Sequence, residues 1–346
     1  MAPSAIFDVP HIYDIRNSYE TLDLKEEITL GLQSHPPVLP SLLLWNERGQ
    51  HAFDRLSQVP SYYPFHGELD VLNRHGPQIG GHIPSDALLV ELGCGAIRKT
   101  KCILSGFQRE QKPVHYYALD VSRQSLESSL MELRKVFKNS PYITITGLLG
   151  TYDDCISWLS DLKHPRGEGS VTIMWLGNSI ANVGSREEAS LFLERFGDAC
   201  RQSKLACRFL LSTDICQKDD KVCQAYDHRT PEFREFILNS LDAANLALGH
   251  DAFSVDDWEP DSFLDDRERN SRFFVKPCRD VLVRLESEST GQTTVEIRKG
   301  ERVQVITSGK WSEDSMADIC DRAGFDINQT WKDEYGDYCI FLLQMR

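Results

Sequence analysis

Residues 66–215 alternate short apolar runs with segments of helical period, and that rhythm constrains the fold more than any other feature of the chain. The runs are Ala87–Leu92, His115–Asp120, Tyr142–Thr146, Val171–Leu176 and Leu205–Asp214. Near-continuous apolar strands separated by helices predict βαβ units over a parallel sheet, because such strands are covered on both faces. Between the runs, Leu126, Leu130, Leu133 and Phe137 fall at helical spacing. Ser185-Arg186-Glu187-Glu188 is a capping-box pattern, opening a helix that carries Leu191, Phe192 and Phe196.

The flanks depart from this rhythm. Residues 1–65 read as mostly helical, with Leu22, Leu24, Ile28, Leu30 and Leu32 before a break at His35-Pro36-Pro37. Residues 216–310 read as an insertion with its own small sheet: a helix over Glu232–Leu248, an acidic loop over Asp256–Arg269, then alternating strands. In the run Val303–Ser308 the two valines share a face with Thr307, while Ile306 and Ser308 lie with Gln304 on the other. The end returns to the first pattern, with a helix over Asp314–Arg322 stopped near Gly324 and an apolar strand over Tyr338–Gln344. Helix, strand, turn, strand predicts a sheet that closes in an antiparallel hairpin. That ending is typical of S-adenosylmethionine-dependent methyltransferases and unlike the all-parallel dinucleotide fold.

Charge and cysteine usage exclude several classes. The 346 residues carry a formal charge of −14, which repels a phosphate polyanion, so nucleic acid is not an expected partner. No segment approaches the ~18 apolar residues of a membrane span, and Met1-Ala2-Pro3-Ser4 begins no basic-then-apolar signal. A cytoplasmic monomer acting on a small molecule is expected. Ten scattered cysteines include no C-x-x-C pair, and Cys200/Cys207 and Cys216/Cys223 lack histidine companions at zinc spacing. Buried reduced thiols and no metal are therefore expected.

The sharpest local signal is Val90-Glu91-Leu92-Gly93-Cys94-Gly95. Glycines directly after a buried strand let the backbone turn tightly and approach a ligand without an intervening Cβ. A dinucleotide fingerprint needs a third glycine where this chain has Arg98, and there is no Walker lysine pattern. What remains admits an adenosyl group but builds no pyrophosphate cradle. The second strand ends at Asp120, 27 residues after Gly93, where a carboxylate can accept both ribose hydroxyl protons.

Over nearly its whole length the chain resembles the histidine Nα-methyltransferases of ergothioneine synthesis and their fungal relatives, including the dimethylallyltryptophan N-methyltransferases. The matching stretches include Leu43–Gly49, Tyr62-Tyr63-Pro64, Glu91–Lys99, Tyr116–Asp120, Gly150–Asp154, Leu176–Asn182, Ala225–Asp227 and Ser308–Trp311. The resemblance implies a class I Rossmann-like, S-adenosylmethionine-dependent core over 66–215 and 312–346. It adds a second, α+β substrate-binding domain built from 1–65 and 216–311. Gly93, Gly95, Lys99 and Asp120 would hold S-adenosylmethionine, and Thr151 and Tyr152 would flank its adenine. Tyr62, Asn182 and Tyr226 match the residues that hold the α-amino and α-carboxyl groups of an amino-acid substrate. An amide and two phenols can orient a zwitterion without a charge pair that would keep the amine protonated. Tyr62 is the catalytic candidate, holding the amine. Each residue also has a plain structural alternative as core packing, turn or helix support.

Two departures from the family shape the expected substrate. Histidine-specific members carry a glutamate, which grips the imidazole, two residues before the serine matched by Ser308; here that position is Ile306. An imidazole N–H against isoleucine is left unpaired at roughly 1–3 kcal/mol, whereas an indole face is accommodated. Phe53 and Phe273 or Phe274 would add to that pocket. The second departure is Trp45, where relatives usually carry a tyrosine near the amine. Ala181, where relatives have glycine, is the one hint of a decayed, non-catalytic site. The expected reaction is iterative methylation of the α-amine of L-tryptophan, with 4-dimethylallyltryptophan and L-histidine as alternatives.

Overall fold

The computed structural model describes residues 11–16, 23–95, 97–162, 169–287 and 291–346; Met1–Ser4, Leu22 and Ala96, on which parts of the sequence reading fall, lie outside them. The first strands are β1 (Ile12–Asp14), β2 (Ala87–Leu92), β3 (Val114–Asp120), β4 (Ile143–Leu149), β5 (Gly169–Trp175) and β6 (Leu205–Asp214), and all pair in parallel. Beyond them come β7 (Trp258–Asp265), β8 (Asn270–Pro277), β9 (Val281–Ser287), β10 (Gly291–Ile297) and β11 (Val303–Gly309), all outside this sheet. The chain then closes with β12 (Phe325–Lys332) and β13 (Tyr338–Met345). The eight-stranded order is β1-β4-β3-β2-β5-β6-β13-β12, with β13 antiparallel to both neighbours. The antiparallel terminal hairpin is thus present, its last strand inserted between β6 and β12.

Helices cover both faces of this sheet, which is why its strands read as unbroken apolar runs. On one face pack α3 (Tyr63–His82), α4 (Arg98–Arg109) and α5 (Arg123–Val136), which contribute Val71, Ile103 and Leu130. On the other pack α6 (Tyr152–Ser160), α7 (Arg186–Gln202) and α10 (Glu313–Arg322), through Leu159, Phe196 and Ile319. A third apolar core joins distant parts of the chain. It takes Ile28 from α1 (Leu24–Gln33), Leu56 from α2 (Glu47–Ser57), Val222 from α8 (Asp219–Ala225) and Phe236 from α9 (Pro231–Leu248), together with Val283 and Val303.

The structure corrects the sequence reading at several points. The acidic stretch Asp256–Arg269 is not a loop: most of it is β7, an edge strand paired with β8. Pro260 is tolerated because an edge strand need not donate there, and Asp261 is neutralised by Arg302 at 2.7 Å. The insertion holds two small sheets, β11-β8-β7 and β10-β9, rather than one. Strict alternation in β11 fails at Val305, where the register slips by one residue and brings Ile306 opposite Phe273. Only half of the capping box at Ser185 forms, with its side chain accepting from Glu188 N–H; a complete box closes instead at Thr151 and Asp154. All ten cysteines are free thiols, but Cys223 and Cys278 are exposed rather than buried. Among the described residues no helix is long and apolar enough to cross a membrane.

Candidate active site

One cavity of about 1080 Å³ lies above the C-terminal ends of β2, β3, β4 and β5, where the strand order reverses, and extends to the third core. The residues singled out in the sequence for donor or substrate line it, except Phe274, the alternative to Phe273. The sheet contributes Gly93, Gly95, Lys99, Asp120, Thr151 and Tyr152. The opposite wall contributes Phe53, Tyr62, Asn182, Tyr226, Phe273, Ile306 and Ser308. Trp45 lines it too, whereas Phe274 does not.

At the sheet end, Gly93 and Gly95 turn with φ of 72° and 40°, the left-handed region that L side chains rarely adopt. A Cβ on Gly93 would come 3.4 Å from the Tyr152 hydroxyl, so the bare backbone keeps this wall open. Asp120 uses Oδ1 to accept from the Ser122 N–H at 2.8 Å, leaving Oδ2 with only the weak Cys94 thiol at 3.9 Å. Burial raises its carboxyl pKa. Lys99 is clamped at 2.5 Å by the buried Glu68, which also accepts from Gly177 N–H and from the Ser212 hydroxyl. These features fit a nucleoside whose sugar hydroxyls meet Asp120. Thr151 lines the cavity and also caps a helix. Its hydroxyl is committed to the helix cap, donating to Asp154 Oδ2 at 2.8 Å and accepting from Asp154 N–H. It can flank a base, with one lone pair left to accept from it and no proton to give.

The far end is an aromatic shell. Trp45, Phe53 and Phe236 meet pairwise with ring centres 5.2–5.4 Å apart. Tyr62 stands edge-on to Tyr226 at 5.5 Å, and Tyr226 tilts against Phe273 at 5.1 Å. Burial drives the phenol pKa of both tyrosines far above the usual value of 10, so each stays a neutral hydroxyl and neither can act as a phenolate base. Asn182 ends a short turn after β5, and its amide makes no hydrogen bond among the described residues, so both its polar atoms remain available. Ala181 is buried in the core beneath and lies off the cavity wall, which removes the hint of decay.

Sequence reasoning missed the polar layer behind this shell. Lys310 is fully buried, 3.2 Å from the equally buried Asp214. Its ammonium also donates to Ser308 Oγ at 2.8 Å and to the Tyr226 hydroxyl at 3.1 Å. Tyr63 donates to Asp214 at 2.7 Å, and Asn178 donates to Ser308 at 3.1 Å. A buried ion pair therefore stands behind the amide and two phenols, off the cavity wall itself. Lys310 and Asp214 are 96 positions apart, and no local pattern links them.

A family model described as histidine-specific methyltransferase, SAM-dependent, matches residues 24–345. The N-methyltransferase benX of Aspergillus terreus is 39% identical, over 97% of this chain and 94% of its own length. Ergothioneine biosynthesis protein 1 of Neurospora crassa is 33% identical over 94% of this chain, which spans 36% of that longer protein. The 4-dimethylallyltryptophan N-methyltransferase easF of Epichloe festucae var. lolii is 28% identical, over 97% of this chain and 99% of its own.

Proposed function

This chain belongs to the histidine-specific, S-adenosylmethionine-dependent methyltransferase family, and we propose that it methylates the α-amine of L-tryptophan, more than once. That it is an S-adenosylmethionine-dependent N-methyltransferase follows from the family and its relatives. The choice of acceptor is carried by one observation: Ile306, at the position where the resemblance implies a glutamate in histidine-methylating relatives, is set against Phe273 inside an aromatic shell. An indole buries its face there without leaving an N–H opposite a hydrocarbon.

S-adenosylmethionine supplies, when bound, a sulfonium methyl whose leaving group departs neutral and needs no charge stabilisation. The protein's tasks are orientation and protonation state. Asp120 would hold the ribose hydroxyls, Lys99 with its partner Glu68 would face the zwitterionic amino-acid tail, and the glycine loop would keep the backbone close. Tyr62 would hold the amine nitrogen so that it faces the donor's methyl group. As a neutral phenol it can accept an N–H while leaving the nitrogen lone pair directed at the methyl. Asn182 and Tyr226 bind the carboxylate. The cavity lies between the sheet and the third core, which supports a substrate-binding role for 216–311 and for the α1–α2 part of 1–65, whereas β1, in the stretch read as mostly helical, belongs to the main sheet.

Purified protein with S-adenosylmethionine should be offered tryptophan, 4-dimethylallyltryptophan, histidine and tryptamine, with products read by mass spectrometry. Tryptophan carrying successive methyl groups is the expected product. Histidine turnover equal to that of tryptophan would sink the argument from Ile306, and tryptamine turnover equal to it would sink the carboxylate contacts. A faster reaction with the prenylated substrate would keep the indole and enlarge the acceptor.

A further inference from the structure

The hydrogen bonds around Lys310 orient the hydroxyls of Tyr226 and Ser308 where they meet the cavity. Asn178 accepts through Oδ1 from the Asp214 backbone N–H and the Thr213 hydroxyl, both at 2.9 Å. A backbone N–H can only donate, so the Asn178 Nδ2 must face Ser308 Oγ and the Gly309 carbonyl, at 3.1 and 3.2 Å. Ser308 Oγ then accepts twice, from Asn178 and from Lys310, and both its lone pairs are filled. It cannot accept from Tyr226, 3.4 Å away. The Tyr226 oxygen itself receives a Lys310 N–H at 3.1 Å. With both its lone pairs filled, Ser308 can only donate to Tyr226, so the Tyr226 oxygen is filled by Lys310 and Ser308 and its own proton turns to the cavity side, where Tyr62 and the substrate stand.

Lys310 and Asp214 line no part of the cavity. The Asp214 carboxylate is occupied by Tyr63 at 2.7 Å and by the Cys216 N–H at 3.0 Å, in addition to Lys310. The ion pair is neutral in sum but oriented, with its ammonium applied to the two hydroxyls. A buried charge behind a donor strengthens that donor, because the surrounding dielectric is low. We infer that Lys310 is a positioning residue that, acting directly and through Ser308, makes Tyr226 a donor-only contact for the substrate carboxylate, so that acceptors are chosen as free amino acids rather than as their amides or decarboxylated amines. This rests on the reading of the cavity as an amino-acid site, but not on the side chain being indole.

The test is binding by calorimetry to protein saturated with S-adenosylhomocysteine, using tryptophan and histidine each paired with its carboxamide. The unmodified protein is expected to bind the acid of its preferred pair at least about tenfold more tightly than the amide. Lys310→Met should erase that preference by weakening the acid alone, leaving the amide and S-adenosylhomocysteine within about twofold. The double variant Lys310→Met with Asp214→Asn strands no buried carboxylate and should behave in the same way, which covers failure of the single variant to fold. Parallel weakening of acid and amide would reduce Lys310 to a structural role and overturn the inference, as would equal binding of the two by unmodified protein. An acid preference for histidine, lost on substitution, would uphold Lys310 while refuting the indole reading. Binding of no member of either pair would overturn both.

Discussion

Ile306 lies directly opposite Phe273 across the β11–β8 ladder, one residue past the slip at Val305, and both side chains line the cavity. Replacing the isoleucine with glutamate sets a carboxylate where an imidazole N–H could find it. Ile306→Glu should improve the histidine-to-tryptophan ratio of kcat/KM by about one to two decades, the worth of one buried hydrogen bond to a charged group. Competition between the two amino acids in one reaction measures this directly. An unchanged ratio would remove residue 306 from acceptor choice.

Asp120 leaves Oδ2 facing the glycine loop with only a thiol beside it. Asp120→Asn replaces an acceptor with a donor against the sugar hydroxyls. The dissociation constant of S-adenosylhomocysteine should rise roughly tenfold to a hundredfold, while thermal stability without ligand should hardly fall. Isothermal titration reads the first quantity and a melting curve the second.

Gly309 is required by its neighbours rather than by its φ. A Cβ there would come 2.5 Å from the Trp311 indole and 3.0 Å from Ala181 Cβ, both fully enclosed. Gly309→Ala should cost about 1–3 kcal/mol of folding stability through overpacking, measured by urea denaturation. It should also weaken acceptor binding, because Ser308 and Lys310 flank it.

Glu91 is buried beneath the glycine loop, where it accepts from Tyr116 and Thr100, and burial pushes its carboxyl pKa up to about 7. The unfolded chain releases that proton near the ordinary value of 4.5. Between these values the folded state holds the extra proton, so stability falls as pH rises and the loss is complete above the folded pKa. Relative to Glu91→Gln, the unmodified protein should lose roughly 2–3 kcal/mol of unfolding free energy between about pH 5 and pH 8. A difference between the two proteins that stays flat with pH would show that Glu91 ionises normally.

The sheet was legible because it rests on local rules. Five apolar runs, a glycine pair and the closing helix–strand–turn–strand pattern each reflect burial on both faces or a turn that needs a missing Cβ. The smaller sheets were less legible. The acidic residues of β7 disguise a strand, because Asp261 is acceptable there only once Arg302, 41 positions on, neutralises it. The committed hydroxyl of Thr151 was hidden for a related reason: only the helix start shows that Asp154 claims it.

By itself, then, the order of residues determined a doubly covered parallel sheet with a hairpin end, and the set of side chains that meet in its cavity. Folding decided what those side chains can do. Lys310 and Asp214 become a buried pair only when β11 is laid against the end of β6, and the proton on Tyr226 acquires its direction only then. Period and propensity report each residue's own neighbourhood along the chain, whereas desolvation and hydrogen-bond direction belong to groups assembled from far apart in it.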